Sequence, residues 1–356
     1  MQFSSLLLLA CTRLAVCDEV VQTNLEKFIA LARDFPEAAL EEIRASPLRA
    51  VVREVALPEA AAPAGSVLPT VTAHGMGDSC FEPGFMSVTH AIGRKTGSYA
   101  RCIPTGGNIA TDTIDGFLMT MDKSVDVFAE KIRKDPKLQG GFNAIGFSQG
   151  NSLIRGYIQK YNDPPVNAFI SVHGTVMGVS AFPSCFSQGK PVGLVCKALA
   201  ETLSTFADTG LVQGILFQAD YFRDPTKEAS KGYLSNSEIA KWNNENPASV
   251  NKTYAENFGK VKRFAMVKAA QDSMVYPNDG EWWGSLPDGT YGSPLPMKET
   301  KFYKDDLFGL KTADGLGKIS FESTPGDHLQ FSDKDLYSWV EKYFMGQNST
   351  QSSVIV

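Results

Sequence analysis

Residues 142–150 read FNAIGFSQG, and this stretch constrains the chain more than any other. An apolar run long enough for a buried strand meets Gly146-Phe147-Ser148-Gln149-Gly150. A helical pattern comes directly after: Leu153, Ile154, Tyr157 and Ile158 form its apolar stripe, and Pro164-Pro165 stop it. A strand that reverses sharply into a helix needs glycine where the backbone passes close to its neighbours, and it pushes the central side chain, Ser148, into the open. The pentapeptide alone is weak in a glycine-rich chain, so the surrounding pattern has to supply the context.

That context is a repeated alternation. The segment LPTVTAHG at 68–75 reads as a short buried strand running into a glycine turn, and a second strand candidate lies at 99–104. Met121, Val125, Phe128 and Ile132 mark a helix, VNAFISVHG at 166–174 gives the strand after the elbow helix, and RFAMVKAA at 263–270 gives another. A last strand near 318–322 precedes a helix with Ser332 and Asp335 as its capping box and a stripe of Leu336, Trp339, Val340 and Tyr343. Strand alternating with helix predicts an α/β fold: a mostly parallel central sheet with helices on both faces. With 43% apolar and 21% charged residues, the chain can bury one large core with decoration.

The alternation lapses between about 179 and 260, which predicts a largely helical insertion that caps the site and shapes what enters it. Its apolar residues between Val192 and Phe217 either line a groove or pack as ordinary core. The main domain then occupies 67–346, with a disordered tail at 347–356.

The first segment, MQFSSLLLLACTRLAVC, reads as a secretory signal over residues 1–17, with small residues Ala15 and Cys17 near the cleavage point. No basic residue precedes its apolar core, and Arg13 interrupts the stretch beyond that core; the competing reading is a plain amino-terminal tail. Residues 18–66 form a helical extension ending in the linker PEAAAPAG, either a pro-segment or a packed prefix with no separate role. Removing Cys11 and Cys17 leaves Cys80, Cys102, Cys185 and Cys196, for which three pairings exist. The short local loop favours Cys185 with Cys196, leaving Cys80 with Cys102; the alternative is four buried thiols. Sequons at Asn251 and Asn348 agree with a secretory route. The net charge of −5 offers nothing to a polyanion, which excludes nucleic acid as the expected partner, and no later apolar run is long enough to cross a bilayer.

A serine raised on a strand-to-helix elbow is the nucleophile position of the α/β-hydrolases, which place nucleophile, acid and histidine in that chain order. The chain has four histidines. His74 and His90 precede Ser148, and His173 comes too early to leave room for an acid strand, so His328, in a glycine-bearing loop, is the expected base. Asp272, at the end of the 263–270 strand, is the preferred acid; Asp279 and Asp327 are the alternatives. Backbone N–H groups of Gln149 and Met76 are the expected oxyanion donors, with Gly75 and Gly77 allowing a tight approach. His74 and Asp78 on one short loop read as structural rather than metal-binding, and no metal or cofactor is expected.

Taken together, HGMGDSC at 74–80, KDPKLQGGFNAIGFSQG at 134–150, ISV at 170–172, QADYFRDPTKE at 218–228, MVKAAQDSMVYPNDGEWWG at 266–284 and GDHLQ at 326–330 resemble the lysosomal palmitoyl-protein thioesterases, in matching order. The resemblance covers nearly all of 68–344. It implies removal of long fatty acyl groups from cysteine thioesters of lipidated proteins in lysosomal turnover, with S-acylated proteins or peptides and fatty acyl thioesters as partners, and an acyl groove in the insertion. It implies Ser148 as nucleophile, Asp272 as acid, His328 as base and Met76 and Gln149 as oxyanion donors. Three departures stand out: Phe81 replaces a cysteine next to Cys80, so the family's disulfide scheme cannot be copied and Cys102 becomes the alternative partner of Cys80; HGTVMG comes after ISV where the family is richer in Gln; and the amino-terminal prefix has no counterpart. Rival expectations are a lipase, carboxylesterase or acyl-CoA thioesterase, and a catalytically silent binding protein on the same scaffold.

Overall fold

The computed structural model describes residues 67–182 and 216–346. The expectations for the signal, the prefix, Cys185, Cys196, Asn348 and the tail lie outside the described residues. The six strands are β1 (Thr70–Ala73), β2 (Ala100–Cys102), β3 (Phe142–Phe147), β4 (Val166–Val172), β5 (Arg263–Ala269) and β6 (Ile319–Thr324). They form one sheet in the order β2-β1-β3-β4-β5-β6, and every pairing is parallel. This is the α/β-hydrolase arrangement, with the elbow strand near the middle.

The helices that organise the layers are α1 (Pro83–Thr96), α2 (Ile109–Leu118), α3 (Met121–Lys134), α4 (Gly150–Lys160), α5 (Phe217–Tyr221), α6 (Lys252–Lys260) and α7 (Asp333–Val340). Successive strand side chains point to opposite faces, and the core divides accordingly. Phe142 and Ala144 of β3, Phe169 of β4 and Phe264 and Met266 of β5 share one cluster with α3 and α4. Ile145 and Phe147 of β3, Ile170 of β4 and Ala265 and Val267 of β5 face a second cluster with α1 and α7. With both faces covered, β3 is buried along its whole length, which is why it reads as a continuous apolar run rather than an alternation.

Local signals end the helices where the chemistry requires. Gly97 closes α1 in the left-handed region at φ 61°, and Asn108 opens α2 with a capping box. The Ser332/Asp335 capping box opens α7 as its sequence predicts, but the α-helix stops at Val340; a π turn, Glu341–Met345, carries Tyr343 into the core. Helix α4 differs more from expectation. Beyond its apolar stripe, Asn151, Ser152, Arg155 and Gln159 are buried as well. The chain after the 183–215 stretch folds over it: Arg155 donates to the Asn243 Oδ1 at 2.7 Å, and Gln159 donates to the Trp242 carbonyl at 2.8 Å. Cys80 and Cys102 form a disulfide that ties the loop after β1 to the end of β2.

Candidate active site

The turn between β3 and α4 holds Ser148 at φ 53°, a left-handed conformation that costs an L-residue energy and survives only where its surroundings enforce it. They do so by close approach. A Cβ at Gly150 would lie 2.3 Å from the Ala73 carbonyl oxygen, and one at Gly146 would lie 2.5 Å from the Asn151 side-chain oxygen. The Ser148 N–H donates to the Val172 carbonyl at 3.0 Å, and the Asn151 amide donates to the carbonyls of Ser148 and Val172 at 3.0 and 2.9 Å.

His328 and Asp272 come to the same place from the loops after β6 and β5. The His328 Nε2 lies 2.8 Å from the Ser148 Oγ, and its Nδ1 lies 2.6 Å from the Asp272 Oδ2. Ser148 and His328 are 180 positions apart in the chain, so only the parallel sheet brings them together. The other Asp272 oxygen accepts the N–H groups of Met274 and Val275 at 2.7 and 2.6 Å. Burial alone would raise the Asp272 carboxyl; the His328 hydrogen bond and these N–H donors more than offset it and hold it below the ordinary carboxylate range. An ionised Asp272 accepts, so Nδ1 of His328 carries a proton and Nε2 is free to accept from the serine hydroxyl.

The alternative acids are engaged elsewhere. Asp279 pairs with Lys268 at 3.0 Å. Asp327 accepts from the Ser273 N–H, the Ser273 hydroxyl and the His328 N–H, which ties the histidine loop to the acid loop without touching the imidazole ring.

The residues expected to hold an oxyanion flank the elbow. Gly75 packs so closely that an added Cβ would sit 3.2 Å from the Ser148 Cβ, which brings the loop carrying Met76 against Ser148. That loop is pinned by Asp112, fully buried, whose carboxylate accepts from the Ser79 hydroxyl and from the N–H groups of Cys80, Thr105 and Gly106. His74 pairs with Asp112 at 3.3 Å, so its partner is on α2 rather than being its loop neighbour Asp78. Burial opposes protonation of His74, yet the Asp112 carboxylate more than compensates and leaves the imidazole above its usual value. His74, Cys80 and Asp112 lie close enough together to suggest a cation site, but the Cys80 sulfur is committed to Cys102.

Sequence reasoning gave no role at this site to four residues around it: Gln218, Tyr221, His173, which it set aside as the base, and Glu281. The Gln149 side chain donates to the Gly116 carbonyl at 2.8 Å and accepts from Gln218 Nε2 at 2.6 Å and from the Tyr221 hydroxyl at 3.1 Å. His173 is fully buried beside His328, with ring centroids 6.0 Å apart; its Nδ1 accepts the Leu329 N–H at 2.8 Å and its Nε2 lies 3.0 Å from the Thr324 hydroxyl. Glu281 is fully buried, and its carboxyl interacts with that of Asp272. All four stand in or next to the motif segments, which is the one signal that could have marked them.

The chain is similar to known proteins over most of its length. The family model described as palmitoyl protein thioesterase matches residues 69–328. Palmitoyl-protein thioesterase 1 of Caenorhabditis elegans is 35% identical over 283 residues, covering 78% of this chain and 92% of that protein. Palmitoyl-protein thioesterase 3 of Dictyostelium discoideum is 30% identical over 237 residues, covering 66% of this chain and 77% of its own length. Lysosomal thioesterase PPT2-B of Xenopus laevis is 26% identical over 190 residues, covering 52% of this chain and 62% of its own. On the extent of these matches, the chain belongs to the palmitoyl protein thioesterase family.

Proposed function

We propose that the protein hydrolyses the thioester linking a long fatty acyl chain to a cysteine side chain, through an acyl-enzyme on Ser148. The observation that carries this reading is the pair of hydrogen-bond-length contacts from His328, 2.8 Å to the Ser148 Oγ and 2.6 Å to the Asp272 Oδ2, in a member of this family. In the proposed reaction His328 Nε2 takes the Ser148 proton as Oγ attacks the thioester carbonyl. The N–H groups of Gln149 and Met76 stabilise the oxyanion. The C–S bond then breaks, the cysteine sulfur leaves with the proton from His328, and a water deprotonated by the same imidazole releases the fatty acid.

A thiolate is a good leaving group, so recognition of the acyl chain is the harder task. Each buried methylene contributes about 0.8 kcal/mol, and a long chain can supply most of the binding. The insertion between about 179 and 260 is the proposed source of that apolar surface. We place the protein in the secretory pathway and lysosome, in keeping with relatives named lysosomal thioesterases and with Asn251, an exposed sequon residue at the start of α6. Residues 1–17 as signal, 18–66 as a separate extension and Cys185–Cys196 as a second disulfide belong to the same proposal.

Turnover of purified protein on palmitoylated cysteine peptides tests it. Ser148→Ala should lower hydrolysis to background while the thermal transition is kept; retained activity rejects the assignment. Faster turnover of oxygen esters than of thioesters would favour the esterase alternative.

A further inference from the structure

Behind Asp272 stands a second carboxyl group that the triad does not use. Glu281 lies in the 3-10 turn Asn278–Trp282, next to the end of β5, and its side chain is fully buried. Its Oε2 accepts the Ala269 N–H at 2.8 Å, while its Oε1 has no donor facing it. The Asp272 carboxyl is close enough to interact directly with this one. Two buried carboxylates so placed repel each other unless one of them holds a proton, which it can then donate to the other.

The surrounding donors decide where that proton resides. Asp272 already accepts from Met274 N–H, Val275 N–H and His328 Nδ1, three bonds that all favour its charged form. Glu281 accepts a single N–H and has an orphaned oxygen, so its charged form is the less satisfied of the two. The cation acting on it is Lys268, which is itself paired with Asp279 at 3.0 Å. Burial, with the Asp272 charge beside it, pushes the Glu281 carboxyl up to about 11.

We propose that Glu281 is a positioning residue, a neutral carboxylic acid at working pH whose Oε1–H donates to Asp272 and holds that carboxylate in line with His328. The inference rests on Asp272 being the acid of the proposed triad. Its chemistry follows from the donor count. A carboxylate facing four donors, two backbone, one imidazole and one carboxyl, has its lone pairs engaged and its orientation determined from both sides. Its contact with His328 then needs no reordering when the imidazole takes up charge. Asp279 and Asp327, the other acids of these loops, are tied to Lys268 and Ser273. His173, the other imidazole near His328, is bound to Leu329 and Thr324.

Two substitutions test the idea. Glu281→Gln keeps a neutral donor toward Asp272 and an acceptor toward the Ala269 N–H; Glu281→Leu removes both. Turnover on a palmitoylated cysteine peptide should stay within about threefold for Gln and fall about tenfold or more for Leu, mainly in kcat. The loss in kcat and its rescue by Gln are what a purely structural role would not produce, and denaturant unfolding of wild type and Glu281→Gln from pH 5 to pH 8 reads the protonation of Glu281 separately. A glutamate kept neutral in the fold ionises on unfolding, so the stability it allows is present below the ordinary carboxylate range and lost as pH rises above it. The unfolding constant of the wild type should therefore rise relative to the Gln variant by up to about tenfold per pH unit. Parallel pH profiles for the two proteins, or equal activity of Gln and Leu, would overturn the proposal. Should Leu fail to fold, the pH slope and the Gln rate settle the matter. The slope is independent of catalysis, so it separates failure of this inference from failure of the triad, which Asp272→Asn turnover measures directly.

Discussion

Gln218 donates its side-chain amide to the Gln149 Oε1 at 2.6 Å, and both residues donate to the same carbonyl, that of Gly116, at 2.7 and 2.8 Å. Through this pair the first described helix after the 183–215 stretch reaches the residue next to Ser148. Gln149 is buried and its side chain is held on both ends, so its backbone N–H is aimed by contacts from another part of the chain. Catalytic electrostatics of the oxyanion type depend on donors that are already in position before charge develops.

Gln218→Leu should accordingly lower kcat on palmitoylated peptides about tenfold with little change in KM, because the proposed oxyanion donor is displaced rather than removed. The loss of a buried donor to Gln149 Oε1 should also lower stability by about 1–3 kcal/mol. Steady-state kinetics together with urea unfolding check both parts, and a change confined to KM would argue against the assignment.

His173 carries a pH dependence of the opposite sign to Glu281. Burial, helped by the neighbouring His328, draws its imidazole down to about 4, and as an acceptor from Leu329 it is held neutral. A histidine that refuses a proton when folded contributes stability above its ordinary value near 6.5, lost as pH falls through the interval to about 4. His173→Gln keeps an acceptor and a donor but cannot titrate. Its stability relative to wild type should improve as pH falls across that interval, by up to about 3 kcal/mol. Unfolding midpoints at pH 7 and pH 4.5 measure the difference; a constant gap would show that His173 titrates normally.

Asp112 holds the loop that carries Met76. Burial would raise its carboxyl, but the His74 hydrogen bond and the N–H donors from Gly106 and Cys80 override this and hold it far below the ordinary carboxylate range. Its stabilising effect is therefore present above the unfolded value near 3.8 and is lost as pH falls below it. Asp112→Asn turns an amide donor against N–H groups whichever way it is placed. We expect a loss of about 3 kcal/mol at pH 7, narrowing below pH 4, together with reduced kcat. Denaturant unfolding at pH 7 and pH 3 would reveal it, and a pH-independent loss would contradict this sign.

How much of the molecule is legible in its sequence depends on the range of the interaction. The strand–elbow–helix passage, the strands β4 and β5, the capping box of α7 and the elimination of three histidines all come from rules that act within a few residues or from chain order. Those rules lead to Ser148, Asp272 and His328, which the fold does bring within hydrogen-bonding distance. The burial of Arg155 and Gln159 on α4 is not legible, because a polar residue on a helix normally faces water, and only the Trp242–Asn243 segment folding over it removes that water.

The sequence by itself determined the alternation that makes a parallel sheet, the glycines that permit the elbow, and which three side chain types stand after β3, β5 and β6. Tertiary structure alone decided what holds them: that Glu281 backs Asp272, that Gln218 braces Gln149, that His173 supports the His328 loop, and that Asp112 rather than Asp78 receives His74. The physical reason is that hydrogen-bond partners and desolvation are properties of which loops meet, and loops separated by tens to hundreds of residues leave no local periodicity from which their meeting could be read.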